Sequence, residues 1–396
     1  TTEAKINLDN SKDRGLSRSF SVTTSASKAG DPNVFEVTSD ITNIATYSTT
    51  MRAGSNGRYT DFSPENVFLG LNAGWQTVPD TTQINTGQRN VFIGNNAGYG
   101  NSTGYDNIFV GTNSGYSIST GPSNTAMGAY SLSSTTWGGQ NTAIGYESML
   151  NSDHGMMNTA LGMWSLMNSE DGSYNTCVGM YSGYGNKTGG YNTSIGYKSY
   201  DSGFNSGGAH TYCTFLGNDA DITGVSTYTN GTAVGNGAKV SANDQVRVGN
   251  VSVTSIGGYV GWTTLGKKSY SKEVNENIVG LEFIKKLRPV SYDLDVEMIN
   301  KDLGIEQNTD DTDVKGSINR SKNLKRSGFF AEEVLKAAEE SGYDFTGLDK
   351  PGNKDDQYGL RYSEFVVPLI KAVQEQQEII EKLEARIEEL EIKTDK

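Results

Sequence analysis

The sequence predicts a mainly β protein: a parallel β-roll or solenoid of 17-residue coils, followed by a small α+β domain that ends in a coiled-coil helix. Three observations carry this prediction. Glycine supplies 48 of the 396 residues and proline only 7, a turn-dense composition. A five-residue word recurs at a fixed period. Charge then changes abruptly, from 15 charged residues among the 184 of 66–249 to 49 among the 131 of 266–396. Two bodies built on different principles follow from that change.

Residues 1–65 come first, polar and turn-rich, with β-like runs such as Val34-Phe35-Glu36-Val37-Thr38. They are expected to form a small β-rich entry or attachment segment.

The repeat body is assigned to residues 66–261. Its word, Asn-x-x-apolar-Gly, begins at Asn66, Asn90, Asn107, Asn124, Asn141, Asn158, Asn175 and Asn192, and every step from Asn90 to Asn192 is 17 residues. Weaker copies end at Gly217, Gly235 and Gly249. Seventeen residues suit one coil of two short strands and two turns, stacked at the ~4.8 Å interstrand spacing. Three residues after the glycine comes a small residue, from Ala73 and Ala97 to Ser182 and Ser199, which lets a neighbouring strand approach. Both alternating faces of each strand are uncharged, so both are expected to be buried. A thin coil has only one inside, and the second face calls for a partner, most economically further copies of the chain.

The words NTAIGYESML and NTALGMWSLM resemble the head repeats of trimeric autotransporter adhesins, which have slightly shorter repeats. The resemblance covers roughly Asn66 to Gly249 and implies a trimeric left-handed parallel β-roll.

Residues 262–365 and 366–396 are expected to be a compact domain and a terminal helix. Leu281–Leu287 reads as an amphipathic helix stopped before Pro289, Val290–Leu294 as a strand, and 305–326 as a solvated loop. The last helix keeps a heptad seam of Val366, Leu369, Val373, Ile380, Leu383, Ile387 and Leu390, interrupted at Gln376. Isoleucine and leucine in that order are by themselves a dimer preference. Segments Gly280–Tyr292, Ser327–Val334 and Tyr358–Glu375 are similar, in order, to the signatures of the intramolecular chaperone domain of phage tailspikes, tail fibres and related bacterial surface fibres. This second resemblance implies a trimer instead, with the domain nucleating and locking the assembly.

Members of that family usually cut themselves off through a serine and a lysine five residues on, the lysine serving as base. The alignment puts Gly266 at the serine, Lys267 at the aspartate, Ser269 at the arginine and Ser271 at the lysine. All four depart from the motif, so no catalytic residue is assigned and the domain is expected to stay attached.

Other chemistry is sparse. Two cysteines and two histidines leave little with which to build a metal site, and no cofactor is expected. Asp153 and Glu170 share an offset in adjacent coils but read as solvated loop acids. His154 and His210 read as loop bystanders, and Cys177 and Cys213, two coils apart, as free buried thiols. One surface feature rises above this background: six residues after successive repeat asparagines come Tyr130, Glu147, Trp164, Tyr181 and Lys198, a ladder suited to a glycan or protein receptor.

The net charge of −13 without a basic block disfavours nucleic acid. No stretch approaches the ~20 apolar residues of a membrane span, and no apolar leader follows Thr1. The reading that results is a non-enzymatic homotrimeric fibre or spike, extracellular, on a phage or phage-like injection particle. Residues 1–65 would attach it to a baseplate or surface anchor. A bacterial cell-surface adhesin is the alternative, and a glycan-cleaving tailspike ranks third.

Overall fold

A computed structural model describes residues 66–78, 85–201, 209–224, 226–259, 269, 271–303, 312–354 and 356–394, with three short strand segments before them. The chain divides into two compact units. One runs to Val240 and adds Asp244–Val248; the other comprises Ser241–Asn243 and Gly249–Lys396.

The first unit is a parallel β-solenoid. Strands β1 (Glu36–Val37) and β2 (Thr42–Asn43) form an antiparallel pair, and β3 (Thr60–Ser63) pairs antiparallel with β4 (Asn66–Leu69). From β4 the sheet continues in parallel through β5 (Asn90–Ile93), β6 (Ile108–Val110), β7 (Thr125–Met127), β8 (Thr142–Ile144) and β9 (Thr159–Leu161). It goes on through β10 (Thr176–Val178), β11 (Thr193–Ile195) and β12 (Thr214–Leu216). A second, two-stranded parallel pair, β13 (Asp221–Ile222) with β15 (Lys239–Val240), lies beside the last rungs, β14 (Thr232–Val234) and β16 (Val246–Val248). Register is constant: Thr142 pairs with Thr159 and Thr159 with Thr176.

The repeat word explains that register. Each asparagine is buried, and its Oδ1 accepts the backbone N–H of the next repeat asparagine, as from Asn158 to Asn141 at 2.9 Å, or in the case of Asn192 that of Cys213. Its Nδ2 donates to a carbonyl of the turn between them, as from Asn141 to Gly155 O at 2.8 Å. A buried polar ladder is thereby satisfied within the stack. The glycine four residues on has φ of +134° at Gly145, and a Cβ there would lie 2.5 Å from the Gly162 carbonyl oxygen. Only glycine fits.

The coil interior is filled by exchange of volume between two positions. Where the inward strand residue is Phe68, Phe92 or Phe109, the residue six further on is Gly74, Gly98 or Gly115, and a Cβ there would strike the ring. Where it is Ala126, Ala143 or Ala160, the facing residue is Leu132, Met149 or Leu166. The three phenylalanines stack at 4.9 and 4.8 Å.

One expectation changes here. From Asn66 to Ile195 each coil holds one strand rather than two, because the far side passes through left-handed residues such as Tyr130, Leu132, Glu147 and Met149. That side still bonds rung to rung, as from Gly98 N–H to Ser114 O at 2.9 Å. As expected of a thin coil, the strands are buried on one face only within the chain: the inward residue is sealed, whereas Leu69, Met127 and Ile195 on the outward face are 42–43% exposed.

The second unit packs α1 (Leu281–Ile284), α4 (Ala331–Glu340) and α5 (Val366–Thr394) around Phe283, Val334, Ala337, Phe345 and Phe365. Antiparallel pairs β17 (Val290–Tyr292) with β18 (Arg326–Gly328), and β19 (Leu348–Asp349) with β20 (Gly359–Leu360), complete it. Two further helices are α2 (Val296–Asp302) and α3 (Thr312–Lys322). Helix α3 corrects the part of the expected 305–326 loop that is described: Arg320 and Lys322 in its last turn suit the helix dipole, and Ile318 is buried. Pro368 sits in the first turn of α5, where no helical N–H is needed.

Candidate functional site

Past the strands the solenoid carries a group of aromatic side chains at its surface. Six residues after the repeat asparagine the backbone is left-handed in every strong copy, with φ of 60° at Tyr130, 52° at Glu147, 58° at Trp164, 60° at Tyr181 and 53° at Lys198. Each N–H at this offset bonds a carbonyl of the preceding coil, as from Trp164 to Tyr146 O at 3.0 Å. The rank is therefore set by backbone hydrogen bonds, and its side chains are carried at the surface: Tyr130 is exposed and Trp164 and Tyr181 half-buried.

These side chains form a connected patch rather than a straight ladder. Trp164 lies 4.7 Å from Tyr181, tilted by 44°, and meets Tyr146 edge-on at 6.3 Å. Tyr146 in turn meets Tyr130 edge-on, and Tyr181 meets Tyr184 and Tyr197. Such pairs contribute about 0.5–1.5 kcal/mol each beyond burial. The Trp164 indole N–H donates to Glu147 Oε2 at 2.8 Å. A hydrogen bond to the same carboxylate holds the Tyr146 hydroxyl above its ordinary pKa, because ionising it would set two negative charges together. Lys198 lies over the Tyr197 ring. Tyr146, Tyr184 and Tyr197 were not among the residues singled out from the sequence. Tyr146 and Tyr197 share the next offset, five after the asparagine, so aligning the repeats at every offset was the signal for them.

The remaining candidates scatter. Gly266 and Lys267 lie outside the described residues, while Ser269 and Ser271 are both exposed. The α5 seam, Val366, Leu369, Val373, Ile380, Leu383, Ile387 and Leu390, is exposed along its whole length, at 46–57%. Asp153 accepts from the Thr136 hydroxyl and lies 3.4 Å from His154, whose Nδ1 is also 3.2 Å from Asp171. Among the described residues no cluster of histidine, cysteine and carboxylate side chains could hold a metal ion, and no helix is long and apolar enough to cross a membrane.

Cys177 and Cys213 are free and buried, with the Cys177 thiol pushed up to about 12 by burial. His210 is not the loop bystander expected. It is fully buried between Tyr200 and Tyr228, accepts the Tyr228 N–H on Nδ1 at 2.9 Å, and has its pKa pressed down to about 4 by burial. Comparison with protein-family models, curated proteins and solved structures finds no match to this chain.

Proposed function

We propose that the chain is one protomer of a homotrimeric attachment fibre, extracellular, carried by a phage or phage-like injection particle. The observation that carries the proposal is that the chain leaves two repetitive apolar surfaces uncovered. One is the outward strand rank, which includes Leu69, Ile93, Met127 and Ile195; the other is the α5 seam. Apolar side chains left exposed in a repeating row along two elements mark an interface. On α5, Ile370 and Ile379 flank the seam and are also exposed, widening the apolar face beyond what a two-stranded coil covers and favouring three strands.

In this reading the solenoid is the shaft or head, and the second unit drives assembly and stays attached, since Gly266 and Ser271 replace the pair a self-cleaving relative would use. Target contact falls on the aromatic patch around Tyr130, Trp164 and Tyr181, where threefold symmetry repeats a weak contact three times and avidity multiplies it. The patch fits a glycan or protein receptor, because rigid amphipathic rings give contact area at low entropic cost.

The test is adsorption of labelled protein to a panel of bacterial cells. Replacing Trp164 and Tyr181 together with serine is expected to weaken adsorption while leaving the assembly mass unchanged, and to lower the melting temperature only by what the four ring contacts it removes contribute. Full adsorption by the folded double variant would place recognition elsewhere.

A further inference from the structure

A second row of aromatics runs along the solenoid at a different offset. The residue just before the repeat asparagine, or before Cys213, Gly231 and Gln245 at the same place in the weaker copies, is left-handed in ten successive coils and exposed in all of them: Arg89, Asp106, Ser123, Gln140, Met157, Tyr174, Tyr191, Tyr212, Asn230 and Asp244. Three neighbours in this row are tyrosines. Their rings stack almost in parallel, Tyr174 on Tyr191 at 4.7 Å and 5°, Tyr191 on Tyr212 at 4.9 Å and 13°. They are 46, 51 and 58% exposed.

Local preference argues against tyrosine here, since the left-handed region favours glycine, asparagine and aspartate and half of each ring stays in water. Stacking offsets part of that cost but does not require exposure. A second copy of the chain is a poor occupant for the row. Its other members include Arg89, Asp106 and Asp244, and interface cores are depleted of such charges.

We infer that Tyr174, Tyr191 and Tyr212 form a docking strip for a neutral, extended polysaccharide of β-1,4-linked pyranose rings lying along the solenoid, one sugar to each coil. Because the ring faces cover one another, the strip presents ring edges and phenol hydroxyls, each able to donate and accept. The 4.7 and 4.9 Å spacing is close to the rise of one sugar in such a chain, so successive hydroxyls meet successive sugars without either partner bending. Ten of the 15 charged residues of 66–249 are acidic, so a neutral chain is favoured over a polyanion. The site is separate from the Trp164 patch and stands whether or not that patch contacts a target.

The experiment is calorimetric titration of the intact protein with cello-oligosaccharides and chito-oligosaccharides of increasing length, and with malto-oligosaccharides, whose α-linkages curl the chain, as the geometric control. Affinity is expected to rise with each sugar until the three rungs are spanned, with the malto series bound far more weakly. Tyr191→Asn, a residue the same row already carries at Asn230 with φ of 57°, should lower affinity about tenfold without moving the melting temperature. No binding by either β-linked series, or binding that Tyr191→Asn leaves intact, would overturn the proposal. So would protection of these tyrosines from nitration in the assembled protein without sugar, which would show that another copy covers the strip.

Discussion

Each repeat asparagine performs two tasks with one side chain, holding the next coil through Oδ1 and the intervening turn through Nδ2. Its recurrence at 17 residues was plain in the sequence; its bonding was not, because an asparagine reads equally well as a turn residue. The aromatic row of Tyr130, Trp164 and Tyr181 was legible but its left-handed backbone was not: nothing in a tyrosine or tryptophan announces a positive φ, which here is imposed by hydrogen bonds to the preceding coil. His210 was misread because coil spacing becomes irregular after Asn192, so no repeat offset assigned it to the interior. Its burial has a measurable consequence. The unfolded imidazole titrates near 6.5 and the folded one near 4, so the unfolded state binds a proton that the folded state refuses. Stability is therefore unaffected by this group above about pH 6.5 and falls as pH drops towards 4, by up to about 3 kcal/mol. Melting curves between pH 7 and 4.5 should show a steeper loss for the native protein than for His210→Asn. Equal slopes would mean that His210 takes up its proton in the folded state.

At the scale of the coil, the strand word was legible and the far side was not. A 17-residue period with uncharged strands suggested two strands per turn, but left-handed residues at two offsets break the second strand into hydrogen-bonded turns. The exchange of Phe109 with Gly115 for Ala126 with Leu132 shows how one coil shape accepts different interiors. Phe109→Ala alone should cost about 3–5 kcal/mol by opening a cavity, and Gly115→Leu alone should clash with the Phe109 ring. Together they reproduce the composition of the next coil, so the double variant should recover about 2 kcal/mol or more relative to the sum of the single losses. Denaturant unfolding measures this coupling, and simple additivity would contradict the volume exchange. Helix α5 was legible to its heptad, whereas α3 was hidden by a polar composition that reads as a loop. Val314 and Ile318, four residues apart in the sequence, were the only apolar signal there.

For the whole molecule, the change in charge near residue 250 foretold two bodies, and the solenoid follows from the repeat. How copies associate was legible only as a demand: the outward strand rank and the α5 seam are apolar in sequence and uncovered in the single chain. The attachment reading depends on that demand being met by further copies, since a weak aromatic patch gains avidity only when presented several times. The most direct test is the mass of the intact protein by size-exclusion chromatography with light scattering at micromolar concentration. The account predicts three times the 42.6 kDa of one chain, and misassembled or insoluble chains when residues 266–396 are removed. A stable, soluble species of 42.6 kDa would contradict it.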